Sequence, residues 1–88
     1  MTHFDAFIVE LNKLLDMNHA QLLKCDYFKK IFGNIVLEIK YQNKVYRIVS
    51  DRREIYLDNL MICNSDHIKG QADIYQKILE VIKDKIFV

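Results

Sequence analysis

Four consecutive charged residues, Asp51-Arg52-Arg53-Glu54, have the chemistry best suited to recognising another molecule. The planar guanidinium of arginine pairs with a carboxylate or a phosphate through two hydrogen bonds, and arginine is enriched among the residues that dominate protein interfaces. Asp51 and Glu54 can equally form ion pairs with basic groups of a partner. The alternative is a solvated turn whose charges keep a hairpin soluble. The functional interpretation predicts a polar contact surface made of these four residues, with Tyr56 and Asp66 as neighbours.

The other reactive side chains form no recognisable catalytic or metal-binding motif. Nucleophilic catalysis needs a Ser, Cys or Thr beside a base that a third group orients, and none of His3, His19 and His67 has such a local motif. The spacings typical of zinc and calcium sites do not occur. Gly33 and Gly70 are isolated, so they do not form the glycine-rich cradle that binds phosphates. We therefore expect a non-enzymatic protein with no cofactor and no metal.

The composition limits the classes of protein that the chain can represent. Its 88 residues predict a single domain, residues 1–88, and its 51% hydrophobic content is needed for the core of so small a body. The net charge of +1 gives no strong field toward nucleic acid or membrane. No apolar run approaches the roughly 20 residues of a membrane span. Without an export signal, Cys25 and Cys63 are expected to be free thiols of a cytoplasmic protein.

The first third of the chain begins with a clear helical pattern. Thr2 and Asp5 resemble an N-cap with an acidic first turn, and residues 3–16 repeat apolar side chains on one face. Asn18-His19 predicts a break. Residues 18–34 fit helix and strand templates only in part, so a short second helix or an irregular segment is expected there, closed by Gly33-Asn34.

The centre of the chain has the alternating pattern of half-buried strands. Residues 35–41 and 45–49 and then Glu54–Asn59 predict three strands, which short turns at 42–43 and 50–53 connect in antiparallel order. Leu60 to Cys63 extends the third strand or leads out of it. A last helix is expected to begin near residue 70, because Gly70 disfavours an earlier start, and to continue to residue 86.

These elements predict an α+β fold: a three-stranded antiparallel meander with N- and C-terminal helices packed on one face. The expected core residues are Phe4, Phe7, Ile8, Leu11, Leu15, Ile35, Leu37, Ile39, Tyr41, Ile48, Leu57, Tyr75, Ile78, Leu79 and Ile82.

This order of elements resembles that of double-stranded-RNA-binding domains, which implies a basic cluster at the start of the last helix. Residues 68–73 there contain one lysine and one acid, which disagrees with that chemistry. A second route to nucleic acid is a stacking platform made of Tyr41, Tyr46, Arg47 and Tyr56. Aromatic residues on strands more often serve cross-strand packing. Nucleic-acid binding is therefore kept as an alternative.

The stretch from Tyr46 to Leu57, YRIVSDRREIYL, resembles a segment of small immunity proteins of bacterial toxin systems, including those paired with contact-dependent growth-inhibition toxins. In that group a strand, an Asp-Arg turn and a second strand precede a C-terminal helix. Arg53 stands where glycine is expected, which leaves the turn geometry open. The resemblance implies a cytosolic inhibitor that occludes or allosterically blocks a cognate toxin domain. The alternatives are a phage or mobile-element inhibitor of a host protein and a small nucleic-acid-binding module.

Overall fold

In the computed structural model, an N-terminal helix, a five-stranded antiparallel sheet and a C-terminal helix follow one another along the chain. The structure describes residues 2–30, 34–64, 66 and 68–87. Its elements are α1 (His3–Met17), β1 (Gln21–Phe28), β2 (Asn34–Tyr41), β3 (Lys44–Asp51), β4 (Glu54–Leu57), β5 (Leu60–Cys63), α2 (Gln71–Val81) and a π-helical segment (Ile82–Ile86). The strands follow one another in chain order across the sheet. The predicted α+β class and the helix–meander–helix order are confirmed, whereas the predicted count of three strands is wrong.

Helix α1 begins at the predicted N-cap. The Asp5 N–H donates to Thr2 Oγ1 at 3.1 Å, and the Thr2 N–H donates to Asp5 Oδ2 at 3.1 Å, which completes a capping box. The Thr2 hydroxyl also donates to Asp5 Oδ2 at 2.9 Å. The hydrogen bonds that the Thr2 N–H and hydroxyl donate to this carboxylate hold the pKa of Asp5 below its usual value. At the other end, the chain reverses at His19, whose φ is 56°. The predicted break at Asn18-His19 is therefore confirmed.

The prediction for residues 18–34 was wrong, because Gln21–Phe28 within this segment forms the strand β1. Strand β1 pairs with β2 in antiparallel register, from Gln21 opposite Lys40 to Phe28 opposite Asn34. A bulge between Leu22 and Lys24 shifts the register and interrupts the two-residue alternation on which strand prediction depends. Asn34 is the first residue of β2 and does not close a helix, and Gly33 lies outside the described residues.

The segment Leu60–Cys63 is a separate fifth strand. A two-residue turn at Asp58-Asn59, with φ of 49° and 73°, folds it back along β4. Asp and Asn tolerate this left-handed conformation better than most residues. The third predicted strand therefore ends at Leu57, and the second continues to Asp51.

The helices pack on one face of the sheet, and the core lies between the two layers. Alternate residues of β2, namely Ile35, Leu37 and Ile39, are fully buried toward the helices. Ile48 of β3 and Ile55 of β4 join them from the neighbouring strands. The predicted core residues Phe4, Ile8, Tyr41, Leu57 and Leu79 are only partly buried against this core. The structure adds Ile55, Ile68, Ile74, Val81 and Ile86 to it.

Aromatic contacts show that the two helices run in the same direction. Near their N-termini, the Phe4 ring stacks on Tyr27 with centroids 4.2 Å apart, and the Phe7 ring stacks on Tyr75 at 5.1 Å. Both helices thus begin at the end of the sheet where β1 and β3 finish, which we call the turn end. The sheet surface that faces away from the helices is called the open face. No helix in the described parts of the chain is long and apolar enough to cross a membrane.

Candidate protein-binding site at the turn end

Four of the six predicted site residues, Asp51 to Glu54, form the tip of the β3–β4 hairpin. Asp51 ends β3 and lies opposite Glu54, the first residue of β4, so Arg52 and Arg53 make up a two-residue loop. Both arginines have left-handed backbone, with φ of 51° and 66°. Such loops favour Asn-Gly, and a residue other than glycine held there costs on the order of 1 kcal/mol or more. The turn thus keeps two arginines in a left-handed backbone conformation that costs them more free energy than it would cost glycine.

Asn34 holds this turn in place from the neighbouring strand. Its Nδ2 donates a hydrogen bond of 2.9 Å to Asp51 Oδ1, and its Oδ1 accepts one of 3.3 Å from the Arg52 N–H. The start of β2 is therefore tied to the last residue of β3 and to the loop. This contact lay beyond sequence reasoning, which placed Asn34 at the end of a helix.

The two arginine side chains differ in their contacts. Arg52 Nε lies 3.9 Å from Asp51 Oδ1, and both side chains are at least half exposed, so this ion pair adds little stability. Arg53 is exposed, and its guanidinium makes no hydrogen bond or ion pair with any residue that the structure describes. Arg53 therefore has donors available for a partner.

Glu54 and Tyr56 lie on the open face next to the turn. The Tyr56 hydroxyl donates a hydrogen bond of 3.0 Å to Glu54 Oε1. This bond, with burial and the negative charges of Glu54 and Asp51, raises the pKa of Tyr56. Tyr56 also lies opposite Val49 in the sheet. The hairpin therefore joins a fixed carboxylate, a half-buried ring and the two arginines on one surface.

Asp66 belongs to a different segment of the chain from the hairpin. It follows β5, whose last residue, Cys63, pairs with Ile55, so the chain carries Asp66 toward the turn end. Its N–H donates to Asn64 Oδ1 at 3.0 Å. Within the described chain, its carboxylate makes no hydrogen bond or ion pair with the hairpin. The structure thus places five of the six predicted residues on one hairpin, and no described hydrogen bond or ion pair joins Asp66 to them.

A shallow apolar niche beside the turn was not predicted. Its volume is about 230 Å³, and its lining consists of Phe28, Asn34, Val36, Val49, Ser50 and Asp51. Val36 and Val49 are cross-strand partners on the open face, and Phe28 is 41% exposed at the end of β1. The pairing of β1 with β2 is what brings Phe28 beside the valines. Sequence reasoning missed the niche because it missed β1.

The predicted aromatic stacking platform does not form, because its residues lie on opposite faces of the sheet. Tyr41 and Tyr46 lie on the helix side, where the Tyr41 ring contacts Phe87 with centroids 4.7 Å apart. Arg47 and Tyr56 belong to the open face, and Arg47 Nε lies 3.9 Å from Glu38 Oε2. The alternation of side chains along β3 explains this separation.

The described residues give little support for metal binding or for thiol chemistry. They contain no group of three or more His, Cys, Asp or Glu side chains that could hold a metal ion. Cys25 and Cys63 are free and lie on β1 and β5, the two outer strands of the sheet. Burial, with the charge of Asp26, raises the pKa of the Cys25 thiol.

No family model, curated protein or solved structure matches this chain.

Proposed function

We propose that this chain is a non-enzymatic binding protein whose β3–β4 turn recognises a protein partner, and that the partner is a bacterial toxin domain which it neutralises. The observation that carries the proposal is the pair Arg52-Arg53, held at φ of 51° and 66° where Asn-Gly is favoured. Residues kept in a costly conformation cluster at functional sites, because selection for binding outweighs the loss of stability.

The surroundings of the turn support recognition of a macromolecule. Asn34 clamps the hairpin at the Asp51 side chain and the Arg52 backbone, so little loop freedom is lost when a partner binds. Tyr56 offers an aromatic surface at low entropic cost, and tyrosine and arginine are the residues that most often dominate interfaces. The adjoining niche is shallow, which suits a protein surface better than an enclosed small substrate.

The identity of the partner rests on the resemblance of residues 46–57 to immunity proteins. This stretch forms the end of β3, the arginine turn and β4. Arg53 has the left-handed backbone that glycine would readily adopt, so the departure from glycine leaves the turn left-handed. A phage or mobile-element inhibitor would use the same turn to bind a different target, a protein of the host.

A growth-rescue assay tests the proposal. Candidate toxin domains encoded by genes that neighbour the gene for this chain are each expressed in bacteria, together with either the unchanged chain or the Arg52→Ala/Arg53→Ala double variant. The unchanged chain should restore growth, and the double variant should bind the toxin domain at least about tenfold more weakly. Alanine at these positions is strained as arginine is, so thermal stability should stay nearly the same.

The matched control is Lys83→Ala/Lys85→Ala, which removes the same charge from two exposed residues of the π-helical segment. This control should rescue growth like the unchanged chain. Equal toxin affinity of the arginine variant and the control would contradict the proposed site. Failure of the unchanged chain to rescue growth would contradict the toxin as partner.

A further inference from the structure

We infer that the outer edge of β1 pairs with the same edge of a second copy of this chain, so that two sheets join across a two-fold axis at Cys25. This inference goes beyond the proposed function, because β1 lies two strands away from the strand that leads into the Arg52-Arg53 loop. Two features of β1 carry it: an unpaired edge along a strand of eight residues, and an order of charges that is complementary to its own reverse.

Strand β1 offers a long edge for pairing. The sheet order places β2 on one side of it, and no strand in the described chain lies on its other side. The opposite edge strand, β5, has only four residues. An unpaired edge is a template for another strand, and natural proteins restrict such pairing with bulges and charged side chains. Because β1 has both, only a strand with matching charges can pair with it.

The strand registers show which backbone groups of β1 point outward. Tyr41 and Lys44 flank the two-residue loop of the β2–β3 hairpin and are therefore a hydrogen-bonded pair. Such pairs recur at every second residue, so the even-numbered residues of β2 bond to β1. From residue 24 onward, their partners on β1 are even-numbered as well. The N–H and C=O groups of Cys25 and Tyr27 consequently point away from β2, toward the outer edge.

A row of alternating charges on the open face stops at this edge. Arg47 lies opposite Glu38, and Glu38 lies opposite Lys24, so the sign of the charge alternates from β3 to β1. Opposite charges placed directly across neighbouring strands stabilise a sheet, whereas like charges destabilise it. The position next to Lys24, on a strand added at the edge, therefore favours an acidic residue.

A second copy of β1 supplies that acid. In an antiparallel pair with its two-fold axis at Cys25, Lys24 of each copy lies opposite Asp26 of the other copy. On β2, the residue opposite Asp26 is the uncharged Val36. Within one copy, Lys24 Nζ lies 3.5 Å from Asp26 Oδ2. Two copies would thus form a network of four alternating charges, which contributes more than an isolated exposed ion pair.

The apolar residues of β1 fit the same register. Leu23, which is 51% exposed at the bulge, comes opposite Tyr27 of the second copy and close to its Phe28, which is 41% exposed. Along β1, apolar residues precede the Lys-Cys-Asp sequence and aromatic residues follow it. The strand therefore matches its own reverse in apolar character as well as in charge. A two-fold interface requires such a match, because both copies present the same surface.

Charge reversal on the full chain tests the inference. Analytical ultracentrifugation should show the 10.5 kDa chain in equilibrium with a particle of twice that mass, with a dissociation constant below about 1 mM. Lys24→Asp and Asp26→Lys each replace two attractive cross-strand pairs by two repulsive ones, so each variant alone should associate at least about tenfold more weakly. An equimolar mixture of the two variants has opposite charges at both pairs and should form a mixed dimer.

The matched controls are Lys77→Asp and Glu80→Lys, which reverse the same charges in an ion pair of 3.4 Å on α2. Neither control, alone or mixed with the other, should change the dissociation constant. Lys24→Gln should weaken association about threefold, and it keeps the test valid if charge reversal opposite Glu38 disturbs folding. Circular dichroism measures the folding of each variant.

Amide hydrogen exchange tests the register. The Cys25 and Tyr27 amides should exchange more slowly as the concentration of the chain rises, because the second copy would accept their hydrogen bonds. The Asp26 amide already bonds to β2 and should keep its rate. A dimer in which the Cys25 and Tyr27 amides keep their rates would have its interface elsewhere and would overturn the inference.

The outcomes distinguish this inference from the proposed function. A chain that stays at 10.5 kDa up to about 1 mM would overturn the inference. So would folded variants of Lys24 and Asp26 that associate like the unchanged chain, or a mixture of the folded reversal variants that stays monomeric. Growth rescue, and its loss in Arg52→Ala/Arg53→Ala, would still stand in those cases. That arginine variant should dimerise like the unchanged chain.

Discussion

Asn34 Nδ2 lies 2.9 Å from Asp51 Oδ1, so the first residue of β2 fixes the last residue of β3, seventeen positions further along the chain. The same Asn34 side chain accepts a hydrogen bond from the Arg52 N–H. One amide therefore sets both the direction of the Asp51 carboxylate and the path of the backbone into the arginine turn. The shape of the proposed binding surface depends on this clamp.

We expect Asn34→Ala to lower the free energy of unfolding by about 1–2 kcal/mol, because it removes two hydrogen bonds from a partly buried site. Urea denaturation measures the change. Hydrogen exchange of the Arg52 amide should become faster in the variant. Asn12→Ala, on the exposed face of α1, should cause no loss of stability. Unchanged exchange at Arg52 would show that Asn34 does not hold the turn.

The arginine turn predicts that stability and binding respond in opposite directions to one change. Arg52→Asn/Arg53→Gly supplies the residues that a left-handed two-residue loop favours, so the free energy of unfolding should rise by about 1–2 kcal/mol. The melting temperature should rise by several degrees. Binding to the proposed toxin partner should weaken as in the alanine variant, because the guanidinium groups are lost in both.

The β2–β3 turn offers the control for this experiment. Asn43 has φ of 65°, and asparagine already tolerates that conformation, so Asn43→Gly should give a smaller gain. An equal or lower stability of Arg52→Asn/Arg53→Gly than of the unchanged chain would mean that the arginines carry no conformational cost.

The hydrogen bond from Tyr56 to Glu54 predicts a pH effect. Because the bond requires the protonated hydroxyl, the folded-state pKa of Tyr56 lies above 10.0, the ordinary value. A raised pKa means that this contribution to stability is complete below pH 10.0 and is lost as the pH rises through the folded-state pKa. Glu54→Gln should move the phenol titration, followed by ultraviolet absorbance, back toward its ordinary value. Glu38→Gln, elsewhere on the open face, should leave the titration unchanged.

Local signals predicted the elements of this fold that follow a regular period. Thr2 and Asp5 marked the start of α1, and strict alternation marked β2. Strand β1 was missed because its bulge breaks the alternation, and β5 because only four residues separate its turn from its end. Short or interrupted strands depend on the partner strand with which they pair. The sequence of the segment itself does not identify that partner strand.

The distance in sequence between residues also explains which parts of the candidate site were predicted. The hairpin residues are adjacent in sequence, so their turn and charges could be recognised without a tertiary structure. Asn34, Phe28 and Val36 reach the site through the β1–β2 and β2–β3 pairings. Their contribution to the site depends on which residues the strand registers place side by side. Asp66 was predicted as a neighbour of the hairpin, and no described hydrogen bond or ion pair joins them.

Cysteine labelling tests whether residues 21–28 form a strand in solution. In β1, Cys25 points toward the helices opposite Leu37, and burial together with Asp26 raises the pKa of its thiol. Cys25 should therefore react slowly with a thiol reagent in Cys63→Ala. Single cysteines introduced as Lys24→Cys or Asp26→Cys, in a chain also carrying Cys25→Ala and Cys63→Ala, lie on the open face and should react quickly. Tyr27→Cys in the same background should react slowly like Cys25, because residues two positions apart share one face of a strand. A helix rotates by about 100° per residue and would place positions 25 and 27 on nearly opposite faces. Equal rates at positions 24, 25 and 26 would contradict β1, and with it the position of Phe28 beside the niche.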